Sequence, residues 1–412
     1  MRATRSPADV VVTGLGVVAG TGVGQDALWE GLLKGTGTAT TDPDLAGLPV
    51  GISCAVPDFD VKKLLGPRLA LRVDPFVQHA LVAAEEAVRD AGLALGGWDS
   101  ARIGVVLGVG SNSLHGYETA YSRLLEGRPG RISPFALPRS VPNMAAGEVS
   151  LHMGIRGPAF TVAAACASGA MAMGVARDLL RGGTCDIVLT GGAESGRSRM
   201  TVANFHRMGA LAQPATAPNA ACRPFDEHRS GFVVAEGAGV LVLERAADAR
   251  ARKAPVRALL AGHGATSDAH HPIQPHPGAR GVVAAMQQAL RDAGVAPGDI
   301  GHVNAHGTGT ELGDLAEAHA LQQIFGEPGP PVTASKGVLG HCLGAAGAIE
   351  AIGAVLAMRH GLVPPTANLE RPDPRIGLDL VQDRARGVAR GPVLSNSIGF
   401  GGHNVSLVLL PA

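Results

Sequence analysis

The sequence predicts an α/β protein built from two similar halves, because motifs of its first half recur in the same order in its second. AVRDAGL at residues 87–93 is repeated as ALRDAGV at 289–295, and each copy precedes an Ile-Gly pair at a predicted strand start. A glycine-rich entry into a small-residue helix occurs in ACASGAMAMGV and again in HCLGAAGAIEAIGAV. The strand and glycine turn of DIVLTGGAES are echoed by GPVLSNSIGFGG. Three echoes in one order indicate duplicated strand–helix units packed face to face.

The length of the chain also favours two units, since 412 residues exceed one ordinary hydrophobic core. The segment AADARARKAP, residues 246–255, is charged and helical until its proline, so it is the best candidate for the junction. We therefore predict an N-terminal half, residues 1–255, and a C-terminal half, residues 256–412.

The individual elements follow from hydrophobic periodicity and from the residues that end each run. Val10 to Val12 is a β-branched run closed by Thr13-Gly14 and predicts a buried strand. Residues 76–91 place apolar side chains on one helical face and are followed by Gly92, a typical C-cap residue. The other predictions are a helix over 27–33 and strands over 103–107, 187–190 and 240–243.

Composition excludes several classes of protein. Lys and Arg together number 35, as do Asp and Glu, so nothing indicates binding to nucleic acid or to a broad anionic membrane surface. The five cysteines are scattered without a CxxC pair, which favours a reducing compartment over a disulfide framework. The N-terminal apolar run is broken by Asp9 and by glycines, and no window reaches the roughly 18 apolar residues of a membrane helix. We therefore expect a cytoplasmic protein.

Cys166 lies where a run of small apolar residues, 160–165, becomes a helix. The small residues predict a strand or tight entry loop buried on both sides, and the helix N-terminus that follows favours a thiolate. Lowering a thiol pKa by two units needs about 2.7 kcal/mol, whereas a helix terminus supplies about 0.3–2 kcal/mol. A nearby base or cation is therefore needed as well. From this segment alone, Cys166 is as well explained by core packing as by a nucleophilic role.

The duplication supplies the missing groups, because equivalent turns of the two halves meet at their common interface. His306 lies inside the glycine turn NAHGTGT, His341 lies at the mouth of the second small-residue helix, and residues 399–402 form the GFGG turn. A thiol beside two imidazoles suits acyl transfer combined with carbanion chemistry. Neutral imidazole N–H groups can donate hydrogen bonds to a developing enolate oxygen.

The ordered motifs ACASG, NAHGTGT, SKGVLGHCLGAAGAIE and NSIGFGGHN resemble those of β-ketoacyl-[acyl carrier protein] synthases. The resemblance is to the elongating FabF (KAS II) type within the thiolase superfamily, and it extends from Val10 to the C-terminus. It implies a five-layer αβαβα sandwich, an acyltransferase activity, an acyl carrier protein as partner and a homodimer. It implies no metal and no organic cofactor, because the substrates are carried on the phosphopantetheine of the carrier.

The resemblance also implies roles for individual residues. Cys166 would be the acylated nucleophile, and His306 and His341 would promote malonyl decarboxylation and stabilise the enolate. Lys336 and Glu350 would form a structural ion pair, the Phe400 amide would complete an oxyanion hole with the Cys166 amide, and the Phe400 ring would act as a gate. Thr308 and Thr310 would contact the phosphopantetheine. The acyl chain would contact Ser111, Asn112 and Phe205, and Gly401 would contact substrate in the GFGG turn.

Departures from the family pattern leave the pathway open. Ala167 follows the cysteine where Thr is common, and HGTGTELGD differs from the common HGTSTPxGD. Both primary fatty acid synthesis and a specialised polyketide or polyene pathway fit, the latter with this chain as the active ketosynthase of a heterodimer with a chain-length factor. A thiolase would need a second cysteine in the C-terminal glycine turn, where this chain has none, and an inactive chain-length factor would lack the nucleophile.

Four other features have plainer explanations. TGLGVVAG has GxGxxxG spacing without a following acidic residue, which favours a tight turn over a dinucleotide site. The prolines of the loop HHPIQPH disturb ligand spacing, which argues against a metal site. The resemblance implies that this loop packs beside the GFGG turn. Cys342 is expected to pack in the core. The basic cluster Lys62, Lys63, Arg68 and Arg72, with Arg207, is either a solvated face or a docking surface for an acidic carrier protein.

Overall fold

The computed structural model describes residues 9–57, 59–111, 113–213 and 217–412. Within the N-terminal half, the strands and helices are β1 (Val10–Ala19), β2 (Gly22–Val23), α1 (Gln25–Lys34), β3 (Thr40–Thr41), β4 (Ile52–Ser53), α2 (Val61–Leu65), α3 (Pro67–Arg72), α4 (Pro75–Asp90), β5 (Ile103–Gly108), α5 (His115–Leu125), α6 (Ala136–Ser140), α7 (Met144–Met153), β6 (Ala159–Val162), α8 (Ser168–Arg181), β7 (Ile187–Ser195), α9 (Arg199–Arg207), β8 (Glu236–Arg245) and α10 (Ala246–Ala251).

The C-terminal half repeats this pattern in fewer residues. Its elements are β9 (Ala258–Ser267), α11 (Arg280–Ala293), β10 (His302–Asn304), α12 (Glu311–Phe325), β11 (Val332–Thr333), α13 (Lys336–Leu339), α14 (Ala346–His360), β12 (Leu362–Val363), β13 (Arg386–Gly387), β14 (Val393–Gly399) and β15 (His403–Pro411). The predicted boundary between residues 255 and 256 falls between α10 and β9 and stays a prediction.

The strand order confirms the duplication of the fold. One half is ordered β1-β8-β7-β5-β6 and the other β9-β15-β14-β10-β11, so each strand has a counterpart at the same place. The two five-stranded ladders join where β1 pairs with β9 over Val11 and Val12. Helices α8 and α14 contact each other between the ladders, while α4 covers one outer face and α11 the other. This is the expected five-layer αβαβα arrangement of an α/β fold.

Glycines in β1 let α4 approach the strand closely. A Cβ atom on Gly14 or Gly16 would lie 2.1 or 1.9 Å from a carbonyl oxygen of α4. Gly262 and Gly264 of β9 stand in the same relation to α11, at 2.1 and 2.0 Å. Helix–strand packing at this distance is possible only without a side chain. The same device in both halves is structural evidence of their equivalence.

Several sequence expectations need correction. TGLGVVAG is the second half of β1 followed by Gly20, rather than a tight turn. Gly14 and Gly16 serve helix packing, and the strand has a bulge at Thr13. The strands predicted over 10–12, 187–190 and 240–243 are each longer, since glycines and polar residues continue the ladders. The entry to Cys166 is not buried on both sides. Strand β6 lies at the end of the sheet, and Phe160 is 37% exposed there.

No helix in the described ranges is both long and apolar enough to cross a membrane.

Candidate active site

Cys166 is held in a tight turn between β6 and α8. Ala165 has a φ of 48°, a left-handed conformation that is unfavourable for a residue with a side chain. The Ser168 hydroxyl fixes the turn, because it accepts a hydrogen bond from Ala164 N at 2.9 Å and donates one to Ala165 O at 2.6 Å. Such strain persists where the surroundings determine the conformation. The turn presents the Cys166 side chain, 8% exposed, to an internal cavity.

The thiol of Cys166 is neutral at rest. Burial raises its pKa to about 12, and the positive charge of Lys336 opposes that rise only in part. Desolvation of the thiolate therefore outweighs the helix terminus that the sequence places beside it. Another group must therefore accept the thiol proton before Cys166 can act as a nucleophile. This agrees with the sequence analysis, in which the helix terminus alone could not lower the thiol pKa enough.

His306 follows β10 in a turn fixed by an acidic residue of α12. The backbone amides of His306 and Gly307 donate to the two carboxylate oxygens of Glu317 at 2.8 and 2.9 Å. Asp314, one helical turn earlier, accepts from Gly309 N at 3.1 Å. The turn that carries the imidazole is thus clamped by two buried carboxylates, which prevents it from moving independently of the helix.

Lys336 fixes the tautomer of His306. Its ammonium is 1% exposed and donates to His306 O at 2.6 Å and to Glu350 Oε1 at 2.5 Å. It also lies 3.2 Å from His306 Nδ1. Because an ammonium group can only donate, Nδ1 accepts and the imidazole proton is on Nε2. Burial raises the pKa of Glu350 to about 7, and Lys336 opposes this shift.

His341 faces His306 across the cavity. Its backbone is fixed by bonds from His341 N to Val233 O at 2.8 Å and from Ala235 N to His341 O at 3.1 Å. The two imidazole rings are 5.4 Å apart at 81°, and Phe232 contacts His341 edge-on at 5.0 Å. Burial and the charge of Lys336 hold the pKa of both histidines well below the usual value. Both imidazoles are therefore neutral hydrogen-bond donors at neutral pH.

The cavity has a volume of about 300 Å³ and brings most of the predicted residues together. The predicted site residues that line it are Cys166, His306, His341, Thr308, Thr310, Phe205 and Phe400. The two threonine hydroxyls are 2.9 Å apart, and the Phe205 ring lies 6.3 Å from that of Phe400. Lys336 and Glu350 do not line the cavity; Lys336 contacts His306, and Glu350 contacts Lys336. One wall is therefore polar and the other aromatic.

Two of the three remaining predicted substrate contacts do not line this cavity. Ser111 is exposed and its hydroxyl donates to Glu194 at 3.2 Å, so it does not line this cavity. Gly401 lies in the turn beside Phe400 but is not a lining residue, although Gly399 and Gly402 are. Asn112 lies outside the described residues. The roles of all three in substrate binding stay predictions.

The histidine-rich loop packs against the GFGG turn, as predicted. Gly401 N donates to Pro272 O at 2.8 Å, and Asp268 N donates to Gly402 O at 2.9 Å. Ile273 and Pro275 of the loop form part of the cavity wall. Cys342, also as predicted, is buried, and its thiol lies 3.5 Å from Glu236 O.

Sequence reasoning missed four residues of the site. Phe232 supports His341, and the carboxylates of Glu317, Asp314 and Glu194 hold its turns. A signal existed for two of them, since Asp314 and Glu317 are three residues apart on the helix that directly follows HGTGT. Phe232 and Glu194 lie far from the motifs they support, and no local pattern marks them.

Comparisons with known proteins match most of the chain. The β-ketoacyl synthase N-terminal domain matches residues 8–249, and the β-ketoacyl synthase C-terminal domain matches residues 257–370. The chain is 40% identical over 403 residues to 3-oxoacyl-[acyl-carrier-protein] synthase 2 of Staphylococcus aureus (strain N315), covering 97% of each protein.

Solved structures give the same result. The ishigamide ketosynthase/chain length factor has a TM-score of 0.92 at 34% identity and covers 98% of this chain and 99% of its own. A type II polyketide synthase ketosynthase bound to a hexaketide, in complex with its acyl carrier protein, has a TM-score of 0.90 at 30% identity and covers 99% and 100%. With a cysteine and two neutral histidines opening onto one cavity in the matching fold, the chain belongs to the β-ketoacyl synthase family.

Proposed function

We propose that the chain is a β-ketoacyl-[acyl carrier protein] synthase, which condenses malonyl carrier with an acyl chain held on Cys166. The observation that supports it most is the joint presence of one thiol and two neutral imidazoles in one cavity, with His306 fixed in the Nε2–H tautomer by Lys336. No further cofactor is needed, because a thioester and a malonyl carboxylate supply the reacting bonds.

In the first step, Cys166 takes the acyl chain from its carrier. The thiol proton passes to a cavity imidazole, the thiolate attacks the thioester carbonyl, and the carrier thiolate leaves and takes up a proton. The backbone amides of Cys166 and Phe400 would stabilise the tetrahedral oxyanion. The aromatic wall formed by Phe205, Phe232 and Phe400 suits an apolar chain.

In the second step, malonyl carrier enters and loses CO2. The electron pair of the broken C–C bond forms an enolate whose oxygen accepts hydrogen bonds from His306 and His341. The enolate carbon then attacks the acyl-Cys166 carbonyl, and the cysteine sulfur leaves as thiolate and takes up a proton from water, because its own proton left with the carrier thiol in the first step. The product is a β-ketoacyl carrier two carbons longer. Thr308 and Thr310, at the polar wall, would bind the phosphopantetheine arm.

The direct test uses holo-carrier, malonyl carrier and a panel of acyl carriers, with products measured by intact-protein mass spectrometry. We expect extension by two carbons and an acyl adduct on the enzyme. Cys166→Ala should lose condensation and the adduct but retain malonyl decarboxylation. Cys185→Ala, which removes a buried thiol outside the cavity, is the matched control. Condensation by Cys166→Ala would refute the nucleophile assignment.

We also propose that the carrier docks on the basic cluster. Lys62, Lys63 and Arg68 are exposed on α2 and α3, and they form no ion pair within the part of the chain that the structure describes. Arg207 is exposed at the end of α9, next to Met208 in the cavity wall. Exposed positive charge attracts an acidic partner, and Arg207 places such charge next to a residue of the cavity wall.

Charge reversal tests the docking surface. Changing Lys62, Lys63 and Arg68 to Glu should raise KM for carrier-bound substrates about tenfold or more while kcat stays within twofold. The control is the triple change of Arg359, Arg384 and Arg390 to Glu. Arg359 lies at the far end of α14, roughly 20 Å along that helix from the cavity. An unchanged KM in the variant with Lys62, Lys63 and Arg68 changed to Glu would refute the docking proposal.

For assembly, we propose a homodimer formed at the free edge of β6. That edge has no strand beyond it among the described residues, and Phe160 and Leu151 leave apolar surface exposed near it. The alternative is a ketosynthase subunit that works with a chain-length factor, as in the ishigamide protein. Native mass spectrometry of the active chain separates the two, since condensation by a homodimer alone excludes a required partner. A cytoplasmic location is proposed with this function.

A further inference from the structure

Glu194 is a buried carboxylate that the reaction proposed above does not use. It lies near the end of β7 and is 2% exposed. Its Oε2 atom accepts from Gly110 N at 2.7 Å and from Gly344 N at 3.2 Å, and Oε1 accepts from the Ser111 hydroxyl at 3.2 Å. The carboxylate therefore joins the turn after β5 to the turn that follows His341.

The turn after His341 is the counterpart of the nucleophile turn. Leu343 has a φ of 45°, close to the 48° of Ala165, and both are residues with side chains in the left-handed region. Helix α14 begins three residues after Leu343, and α8 begins three residues after Ala165. Gly344 therefore occupies, in the second half, the position that Cys166 occupies in the first.

The strand that faces each turn is also duplicated. Strands β1 and β9 are equivalent, so the strand pairings can be matched outward from β1 in one half and from β9 in the other. This matching aligns Gly191 of β7 with Asn396 of β14. Three residues further along, Glu194 aligns with Gly399. Each of these two residues lies against the backbone of the turn contributed by the opposite half.

The two equivalent places differ in what faces the turn. A Cβ atom at Gly399 would lie 2.6 Å from Ala164 O and 3.2 Å from Cys166 N, so glycine keeps the space before the Cys166 amide open. At the counterpart, the Glu194 carboxylate lies 3.2 Å from Gly344 N and fills that space. One site is thus open to an oxyanion that arrives with substrate, whereas the other already contains a carboxyl oxygen that accepts the backbone N–H.

We propose that Glu194 is a positioning residue whose carboxyl group occupies the counterpart of the oxyanion site and, through its hydrogen bonds to Gly110 and Gly344, holds His341 toward the cavity. The inference rests on the proposed function. A carboxylate that accepts several backbone N–H groups is a strong fixed point for the turn that supplies them. Gly110 and Gly344 pack so closely that a Cβ atom on Gly344 would lie 2.2 Å from Gly110 N. This close packing restricts the backbone of the turn after His341 to one conformation.

The test compares Glu194→Gln with the wild-type chain and with Glu244→Gln. Gln keeps the size but replaces one acceptor oxygen with a donor group. Glu244 is equally buried, but it lies at the opposite end of the β7–β8 ladder, roughly 23 Å away, where it pairs with Arg252. We expect Glu194→Gln to slow malonyl decarboxylation and condensation about ten- to a hundredfold, as misplacement of a catalytic group does. Acylation of Cys166 and KM for malonyl carrier should stay within threefold.

A readout independent of activity is hydrogen exchange of backbone amides. Exchange at Gly110 and Gly344 should accelerate at least tenfold in Glu194→Gln and remain unchanged in Glu244→Gln. The inference is overturned if exchange at these amides is unaltered, or if acylation and decarboxylation fall by the same factor in both variants. A wild-type chain that fails to condense would instead refute the proposed function, and the exchange result would still decide whether Glu194 holds the turn.

Discussion

Replacing Lys336 by Met separates the roles of its ammonium group in catalysis and in folding. The substitution keeps the long buried stem and removes the donor that lies 3.2 Å from His306 Nδ1. The imidazole is then free to carry its proton on Nδ1, so Nε2 no longer donates to the enolate. Loss of one such donor costs about 2.7–4 kcal/mol, or 10²- to 10³-fold in rate. Malonyl decarboxylation should fall by that factor.

The same substitution leaves Glu350 buried without its cation. Breaking a buried ion pair costs about 3–5 kcal/mol when the remaining charge persists. The pKa of Glu350 is already raised to about 7 by burial, and it rises further without Lys336. For an acid with a raised folded-state pKa, stability is greatest below the unfolded value and is lost as pH increases. The variant should therefore be destabilised more at pH 8 than at pH 5.5.

The assay combines decarboxylation of malonyl carrier with urea unfolding at both pH values. Lys336→Met with Glu350→Gln is the control, because the neutral amide removes the pH-dependent part of the stability loss without restoring the rate. Decarboxylation within threefold of wild type would refute the assigned tautomer. Equal destabilisation of the single variant at the two pH values would refute the account of Glu350.

Three further predictions concern the packing of the sheet, a buried histidine and the oxyanion site. Gly16→Ala should prevent normal folding, since its Cβ would lie 1.9 Å from a carbonyl oxygen of α4. The measurement is soluble yield compared with Gly130→Ala, an exposed position where an added Cβ meets no atom within 4 Å. Burial lowers the pKa of His302 to about 4, so about 3 kcal/mol of stability is lost as pH falls from 6.5 to 4. His302→Gln should therefore reduce the difference between the urea unfolding midpoints measured at these two pH values. Gly399→Ala should slow acylation of Cys166 at least a hundredfold in stopped-flow assays, while unchanged acylation would contradict an open oxyanion site there.

The duplication and the identity of the three reacting residues could be predicted from the sequence because both are local patterns. Each motif carries its own glycine turn, and the echo of AVRDAGL in ALRDAGV preserves order along the chain. Helix and strand ends were less accurate where glycine had a packing role. Gly14 and Gly16 signal a turn in the sequence, whereas their role depends on the distance to a helix that begins 59 residues after Gly16.

The electrostatics of the site could not be predicted in the same way. A helix terminus beside Cys166 suggests a lowered thiol pKa, yet burial dominates and raises it. Burial depends on how both halves close over the turn, which no segment encodes alone. The same reason hides Glu194 and Phe232, since each contacts His341 or its turn from more than 100 residues away. The positions of reacting atoms follow from motifs, and their protonation follows from the assembled fold.

The place of β1 at the centre of the sheet also constrains how the protein is made. This strand, residues 10–19, is buried along its whole length, and its sheet neighbours besides the short β2 are β8 and β9. Those partners begin at residues 236 and 258, so at 5–20 residues per second the ribosome delivers the first of them roughly 10–45 s after β1. During that time an apolar strand has no ladder to join, which makes the nascent chain dependent on shielding from other chains.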